Sequence, residues 1–380
     1  MARVRRGDLA LVLAILLPSA CVGVVTAEPD RAEHAATVGS VAEDAGTADA
    51  SAPDPAPLAG PGPEPAPGTE PAPEPEPEPV RGPDPASIGA DELGHVPVLM
   101  YHRVVDRPPS QWDVTPEDFR AELVWLFDHG YRPVRMVDLV RGEFDVPAGT
   151  TPVVLTFDDS SRSQARLDED GRIHPDSAIG ILIDVASAYD DVDAVASLYV
   201  IGSEPFGDAT TGPPVLRALA DAGFELGNHT MTHPDLGRIS DVEVRRELAG
   251  VVEVLTGHVP DLEVTTVALP FGSAARDDAL VRSGTFDGTS YAHLAVLRVD
   301  PEPARSPFHV DFDAAYVPRI CSAFGRSGCS RTYGSRAQLT WLDEEPGRRY
   351  VSDGDPTRIS FPRARFAELL PEHRERANPY

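Results

Sequence analysis

Two short runs, Leu155-Thr156-Phe157-Asp158-Asp159 and Asn228-His229-Thr230-Met231-Thr232-His233, contain the residue types from which a hydrolytic metal site can be built. The first is an apolar run ending in two adjacent carboxylates. The second offers two imidazoles four residues apart. Together they supply the three donors of an open divalent-metal site and leave one carboxylate over. Consecutive side chains of extended backbone point in opposite directions, so Asp158 and Asp159 are expected to do different jobs. One can hold a cation while the other reaches a reacting water. The spacing of His229 and His233 fits one face of a helix, but Thr230, Thr232 and Pro234 disfavour helical backbone, and a tight loop is predicted. Taken singly, an acidic turn and a pair of surface histidines are the commoner explanations. Their joint occurrence, each after a predicted strand, points to a metal-assisted hydrolase.

The elements that must position these residues alternate in kind. Residues 96–101, 153–157, 196–200, 224–226, 264–269 and 294–299 read as strands, and 178–188, 215–222 and 277–282 as helices. Thr115 and Pro116 start a helix expected to stop at Gly130, and Ser240 with Glu243 forms a capping box for a helix to about residue 255. This order predicts an α/β fold of parallel strands with outer helices, either an open sheet or a barrel, with chemistry at the strands' carboxyl ends. Asp158 and Asp159 stand at such an end. Past residue 300 the pattern weakens to loops, with short strands expected around Tyr350 and Ile359.

Residues 1–27 are expected to be an export signal, because Arg3, Arg5 and Arg6 precede an uncharged stretch over 9–27. Three endings stay open: cleavage after Ala27, lipid attachment at Cys21, or retention as a membrane anchor. Residues 28–90, with prolines at alternate positions from 71 to 79, are expected to be a disordered spacer. That leaves one catalytic domain over 91–380, secreted or tethered to the cell envelope. The net charge is −28, and residues 28–92 alone hold 15 Asp or Glu against two Arg. The remainder is still acidic, which argues against nucleic acid or anionic lipid as a partner. All 33 basic residues are Arg. Schiff-base, phosphate-loop and serine-lysine chemistries all need a lysine and are excluded. With Cys21 in the export signal, Cys321 and Cys329 are expected to close a small disulfide loop.

On Thr156-Phe157-Asp158-Asp159, His229-Thr-Met-Thr-His233, Leu269-Pro270-Phe271-Gly272 and the opening 96–102, the chain resembles the polysaccharide deacetylase family, the NodB-like domain of carbohydrate esterase family 4. The resemblance covers about 95–300 and implies a distorted (β/α) barrel. It implies that Asp159, His229 and His233 hold a divalent metal, usually zinc, and that Asp158 is the general base. The metal and the Phe271 backbone N–H would stabilise the oxyanion formed from an N-acetyl group of a polysaccharide substrate, releasing acetate and a free amine. Three departures stand out. Ser160 replaces a usual Gly. Ala268 stands where many members carry an Arg that orients the base, so support for Asp158 must come from another residue or be weaker. No Leu-x-His motif supplies the general acid, leaving His102, His293 and His309 as candidates. The alternatives to an N-deacetylase are a glycan-binding or scaffolding protein on the same fold and an O-acetyl esterase of the xylan type.

Overall fold

The computed structural model describes residues 82–380, except 209, 331 and 346. The expected export signal and most of the expected spacer lie outside the described residues. Within 82–90, the short helix Pro85–Ile88 forms and Ala90 is buried, so ordered chain begins before residue 91. Among the described residues, no helix is long and apolar enough to cross a membrane.

The strands are β1 (Val98–Tyr101), β2 (Tyr131–Pro133), β3 (Thr151–Phe157), β4 (Ser197–Val200), β5 (Glu225–Asn228), β6 (Thr266–Ala268), β7 (Ala295–Val299) and β8 (Val317–Cys321). Seven of them, in the order β1-β8-β7-β6-β5-β4-β3, form a parallel sheet that the β1–β3 pairing closes into a barrel. Strand β2 flanks the amino-terminal half of β3. The helices α1 (Pro116–Asp128), α2 (Met136–Arg141), α3 (Ala178–Ala186), α4 (Gly212–Asp221), α5 (Asp241–His258) and α6 (Ser335–Glu344) surround it. The barrel is therefore of the deacetylase type that the motifs implied. Strand β8 and helix α6 fall in the stretch past residue 300 read as loops, a correction that bears directly on the site below. No strand forms at Tyr350, where Val351 makes only an isolated bridge, whereas Ile359–Phe361 is a strand.

Side-chain alternation divides each strand between two environments. Leu99, Tyr101, Val153, Leu155 and Phe157 face outward and pack with Phe119, Leu123 and Leu182 of α1 and α3. Tyr101 and Phe157 stack at 5.1 Å between ring centres. Val98, Val154, Tyr199 and Leu297 fall instead in a second cluster, on the inward face. Gly227 shares that inward parity with Glu225, and a Cβ there would lie 2.5 Å from the Tyr199 ring, so only glycine lets that ring fill the barrel. Helix α1 opens as its sequence requires, with the Thr115 hydroxyl accepting from the Asp118 N–H at 3.1 Å. The Ser240–Glu243 capping box is present, and α5 runs on to His258.

Glu92 ties the two ends of the ordered chain together. Its buried carboxylate accepts from the Tyr350 hydroxyl at 2.9 Å and from the Ser360 N–H at 2.6 Å. Burial, aided by the nearby Asp353 charge, pushes its carboxyl up to about 8 despite these bonds. The folded state thus holds a proton that the unfolded chain releases near 4.5. This contribution is full below that pH and is lost as pH rises towards 8. Stability measured by urea unfolding is expected to fall by roughly 1–3 kcal/mol between pH 5 and 8.5. Glu92→Gln should flatten that slope, and a slope unchanged in the variant would contradict the assignment.

Candidate metal and catalytic site

The carboxyl end of β3 delivers the two aspartates in different directions. Asp158 continues the strand, its N–H donating to the Tyr101 carbonyl at 3.0 Å, and its carboxylate points into the barrel. Asp159 and Ser160 then take left-handed backbone, with φ of 74° and 46°. That reversal turns Asp159 toward the histidines. It also shows why glycine is usual at position 160, since left-handed backbone costs an L-residue energy. Here the Ser160 hydroxyl accepts from the Ile201 N–H at 3.2 Å and ties the turn to β4. The Gln164 amide donates to the carbonyls of Asp158 and His102, fixing two walls of the site at once.

His229 and His233 sit on a tight loop after β5, as the threonines and Pro234 predicted. Thr230 and His233 have positive φ, and the loop is closed by its own polar side chains. The Asn228 side-chain oxygen accepts from the Thr230 N–H at 2.9 Å, and the Thr230 hydroxyl accepts from the His233 N–H at 3.0 Å. Glu247 of α5 accepts from the Thr232 N–H and hydroxyl at 2.7 and 2.9 Å. The histidines are thereby fixed without a helix.

Whether these side chains suit a cation is decided by where their lone pairs point. Nδ1 of His229 donates to the Ala268 carbonyl at 2.8 Å, which in the neutral ring leaves the Nε2 lone pair for another partner. That Nε2 lies 3.4 Å from Oδ1 of Asp159, and Nε2 of His233 lies at 3.4 Å from the same oxygen. The oxygen is buried and has no hydrogen-bond donor. One donor atom from each of the three residues lies within 4.8 Å of the others. Electron-pair donors converging on one point fit a divalent cation. Asp159, His229 and His233 are therefore the residues that could hold one.

Asp158 has a partner that the sequence did not disclose. Arg319, in β8, is fully buried and donates through both terminal nitrogens to the Asp158 carboxylate, at 2.6 and 2.7 Å. Burial alone would push the Asp158 carboxyl up, but the Arg319 guanidinium, followed by His229, holds it well below the usual carboxylate range. For Asp159, burial again raises and the contact with His229 outweighs it, so its carboxyl is lowered. Arg319 thus gives Asp158, from another strand, the arginine contact that Ala268 does not offer. Its only sequence signal is a charge inside the run Val317-Pro318-Arg319-Ile320-Cys321, where the proline and the arginine interrupt the apolar pattern of a strand.

A pocket of about 370 Å³ joins these parts, within the ~300–1,000 Å³ typical of small-ligand sites. Asp158, Asp159, His229, His233, His102 and Phe271 all line it. Of the three candidates for the acid, only His102 does so, and its Nδ1 has no partner. His293 is buried elsewhere, with Nδ1 donating to the Val281 carbonyl at 2.6 Å, and His309 contacts Glu368 at 3.2 Å. Phe271 has a φ of 57° in the turn Pro270–Gly272. The N–H groups of Gly272 and Ser273 close that turn on Leu269 and Pro270, so the Phe271 N–H is not needed for it. The expected Cys321–Cys329 disulfide is present, with a Cα separation of 6.0 Å.

Comparison with known proteins agrees with this geometry. Residues 145–284 match the family model described as polysaccharide deacetylase. The chain is 28% identical over 138 residues to a chitooligosaccharide deacetylase of Bradyrhizobium sp. (strain ANU 289), covering 36% of this chain and 54% of that protein. It is 22% identical over 148 residues to a peptidoglycan-N-acetylglucosamine deacetylase of Bacillus cereus, covering 38% and 46%. The chain thus spans about half the length of the curated relatives it matches. A Streptococcus pyogenes deacetylase solved in complex with acetate is 21% identical with a TM-score of 0.47, over 60% of this chain and 91% of that one. The match over 145–284 contains both the aspartate pair and the histidine pair, so this segment of the chain carries a polysaccharide deacetylase domain.

Proposed function

We propose that this protein is a divalent-metal-dependent deacetylase that removes N-acetyl groups from a polysaccharide of the cell envelope or its surroundings. One observation carries the reading. The unshared donors of Asp159, His229 and His233 converge in the same pocket as a carboxylate held ionised by Arg319. A bound cation, zinc in this reading, supplies a Lewis acid that polarises the acetyl carbonyl and acidifies water. The chain's own groups do the rest. Asp158, kept ionised and aimed by two hydrogen bonds, accepts the proton of the attacking water. The Phe271 N–H donates to the acetyl oxygen as negative charge develops there. His102, the one candidate acid in the pocket, donates a proton to the departing amine. Ala268 and the absent Leu-x-His motif are the two departures that favour a protein without turnover, and the Arg319–Asp158 pair stands against the first. The amino-terminal signal pattern and the disulfide support export, by secretion or by tethering to the envelope.

Acetate release from defined N-acetylated oligosaccharides tests the activity. Asp158→Asn should lower kcat by roughly 10²–10⁴, and His102→Ala by about 10². If native chain and Asp158→Asn both release nothing while metal is bound, the catalytic reading fails. Metal content measured by mass spectrometry should drop well below one equivalent of zinc in His229→Ala and in His233→Ala; unaltered content would refute the ligand assignment.

Arg319 acts through Asp158 and is a positioning residue. Arg319→Met leaves a buried carboxylate unpaired and should destabilise the fold by about 3–5 kcal/mol in urea titrations. Arg319→Lys keeps the charge but not the two-pronged geometry, so it should recover much of that stability while kcat falls and KM changes little. Equal kcat in native and Lys forms would show that orientation of Asp158 is not required.

A further inference from the structure

The guanidinium that holds Asp158 is bonded on one side only. Arg319 gives both terminal nitrogens to the Asp158 carboxylate, and one of them also reaches the Thr156 hydroxyl at 3.3 Å. Its Nε is buried and has no hydrogen-bond partner among the described residues. These polar contacts do not by themselves fix the tilt of the guanidinium plane. An aromatic face stands beside it: the central carbon of the group lies 5.7 Å from the centre of the Tyr199 ring, within the ~6 Å reach of a cation–π contact.

The ring is placed there by its surroundings. Tyr199 is fully buried on β4, and its register partner on β5 is Gly227. A Cβ at 227 would lie 2.5 and 2.6 Å from two atoms of the ring, so the ring takes the volume that a side chain on β5 would occupy. Glu225, one inward position earlier on β5, accepts from the hydroxyls of Ser197 and Thr266 at 2.6 and 2.5 Å and from the Val137 N–H at 3.0 Å. Ser197 in turn accepts from the Met136 N–H at 2.8 Å. The strands that carry the ring and its glycine are thereby tied to β6 and to the start of α2. The Tyr199 hydroxyl has no hydrogen-bond partner among the described residues, so the ring face, and not its polar tip, is what meets the rest of the site.

We propose that Tyr199, seated by Gly227, is a positioning residue that acts through Arg319 to aim the Asp158 carboxylate. The aromatic face sets the plane of the guanidinium, and the guanidinium sets the direction of the carboxylate that accepts the water's proton. The inference rests on the deacetylase reading for its chemistry and on the barrel interior for its geometry. A smaller apolar residue at 199 would leave the charges paired but the guanidinium free to turn. Misplacing a reacting group by about 1 Å can cost roughly 10²-fold in rate. Tyr199 is not among the residues lining the catalytic pocket, so substrate binding should be spared.

The test joins kinetics to crystallography on the full, metal-loaded chain. Tyr199→Leu removes the aromatic face, Tyr199→Met serves where that variant does not fold, and Tyr199→Phe keeps the face while deleting the unpartnered hydroxyl. Acetate release from N-acetylated oligosaccharides should show kcat lowered about 10–100-fold in Tyr199→Leu with KM little changed, and native kcat in Tyr199→Phe. Made together with Arg319→Lys, the Tyr199→Leu change should lower kcat little further than Arg319→Lys alone, because the two residues act in series. Crystals of Tyr199→Leu should show the guanidinium turned out of its two-pronged contact with Asp158. Native kcat in Tyr199→Leu, or multiplicative losses in the double variant, overturns the positioning role and leaves the deacetylase reading standing. An Arg319–Asp158 contact unchanged in the Tyr199→Leu crystals overturns the positioning role whatever the kinetics. A turned guanidinium in a protein whose native form releases no acetate supports the seating of Arg319 by Tyr199 and overturns the deacetylase reading.

Discussion

A fully buried guanidinium holding a buried carboxylate inside the carboxyl end of the barrel is the contact around which the site is arranged. Arg319 and Asp158 each carry a charge that would be costly to bury alone. Their two short hydrogen bonds answer that cost only if β8 lies beside β1, so that the arginine can reach across to the end of β3. The closed ring of strands is therefore a condition of the chemistry as well as of the fold. The same pair explains how one of two neighbouring aspartates is drawn inward and held ionised while the other is left facing the histidines.

The loops at that end carry strain that the barrel supports. Of eight non-glycine residues with positive φ among the described residues, five belong to the site: Asp159, Ser160, Thr230, His233 and Phe271. Such conformations cost about 1–3 kcal/mol each and persist where the surroundings leave no alternative. Here the surroundings are specific: Gln164 across two carbonyls, Asn228 and Glu247 around the histidine loop, and the Ser160 hydroxyl on β4. Donor atoms within a few ångströms of a common point require this fixing, because a ligand set on mobile loops would lose its geometry.

Much of this was legible before the fold was known, for identifiable reasons. Different surroundings for Asp158 and Asp159 were expected from alternation along extended backbone, but it is the left-handed backbone at Asp159 and Ser160 that turns the second toward the histidines. The loop at 229–233 was readable from Thr230, Thr232 and Pro234, which oppose a helix locally. The capping signals at Thr115 and Ser240 appeared where predicted, since a cap is satisfied within four residues of itself. Strand β8 escaped notice because an arginine and a proline interrupt its apolar pattern, and it owes its existence to β1 and β7 on either side.

The sequence by itself determined the elements and the inventory of the site, because hydrophobic period, caps and side-chain chemistry are local properties. It could name the metal-binding candidates and leave three histidines competing for one role. Only the tertiary structure decided which of those groups meet. Arg319 is 161 residues from Asp158, and His102 enters the pocket while His293 and His309 do not. Contacts of that range depend on the closure of the barrel, in which strands distant along the chain become neighbours, and no local pattern encodes it.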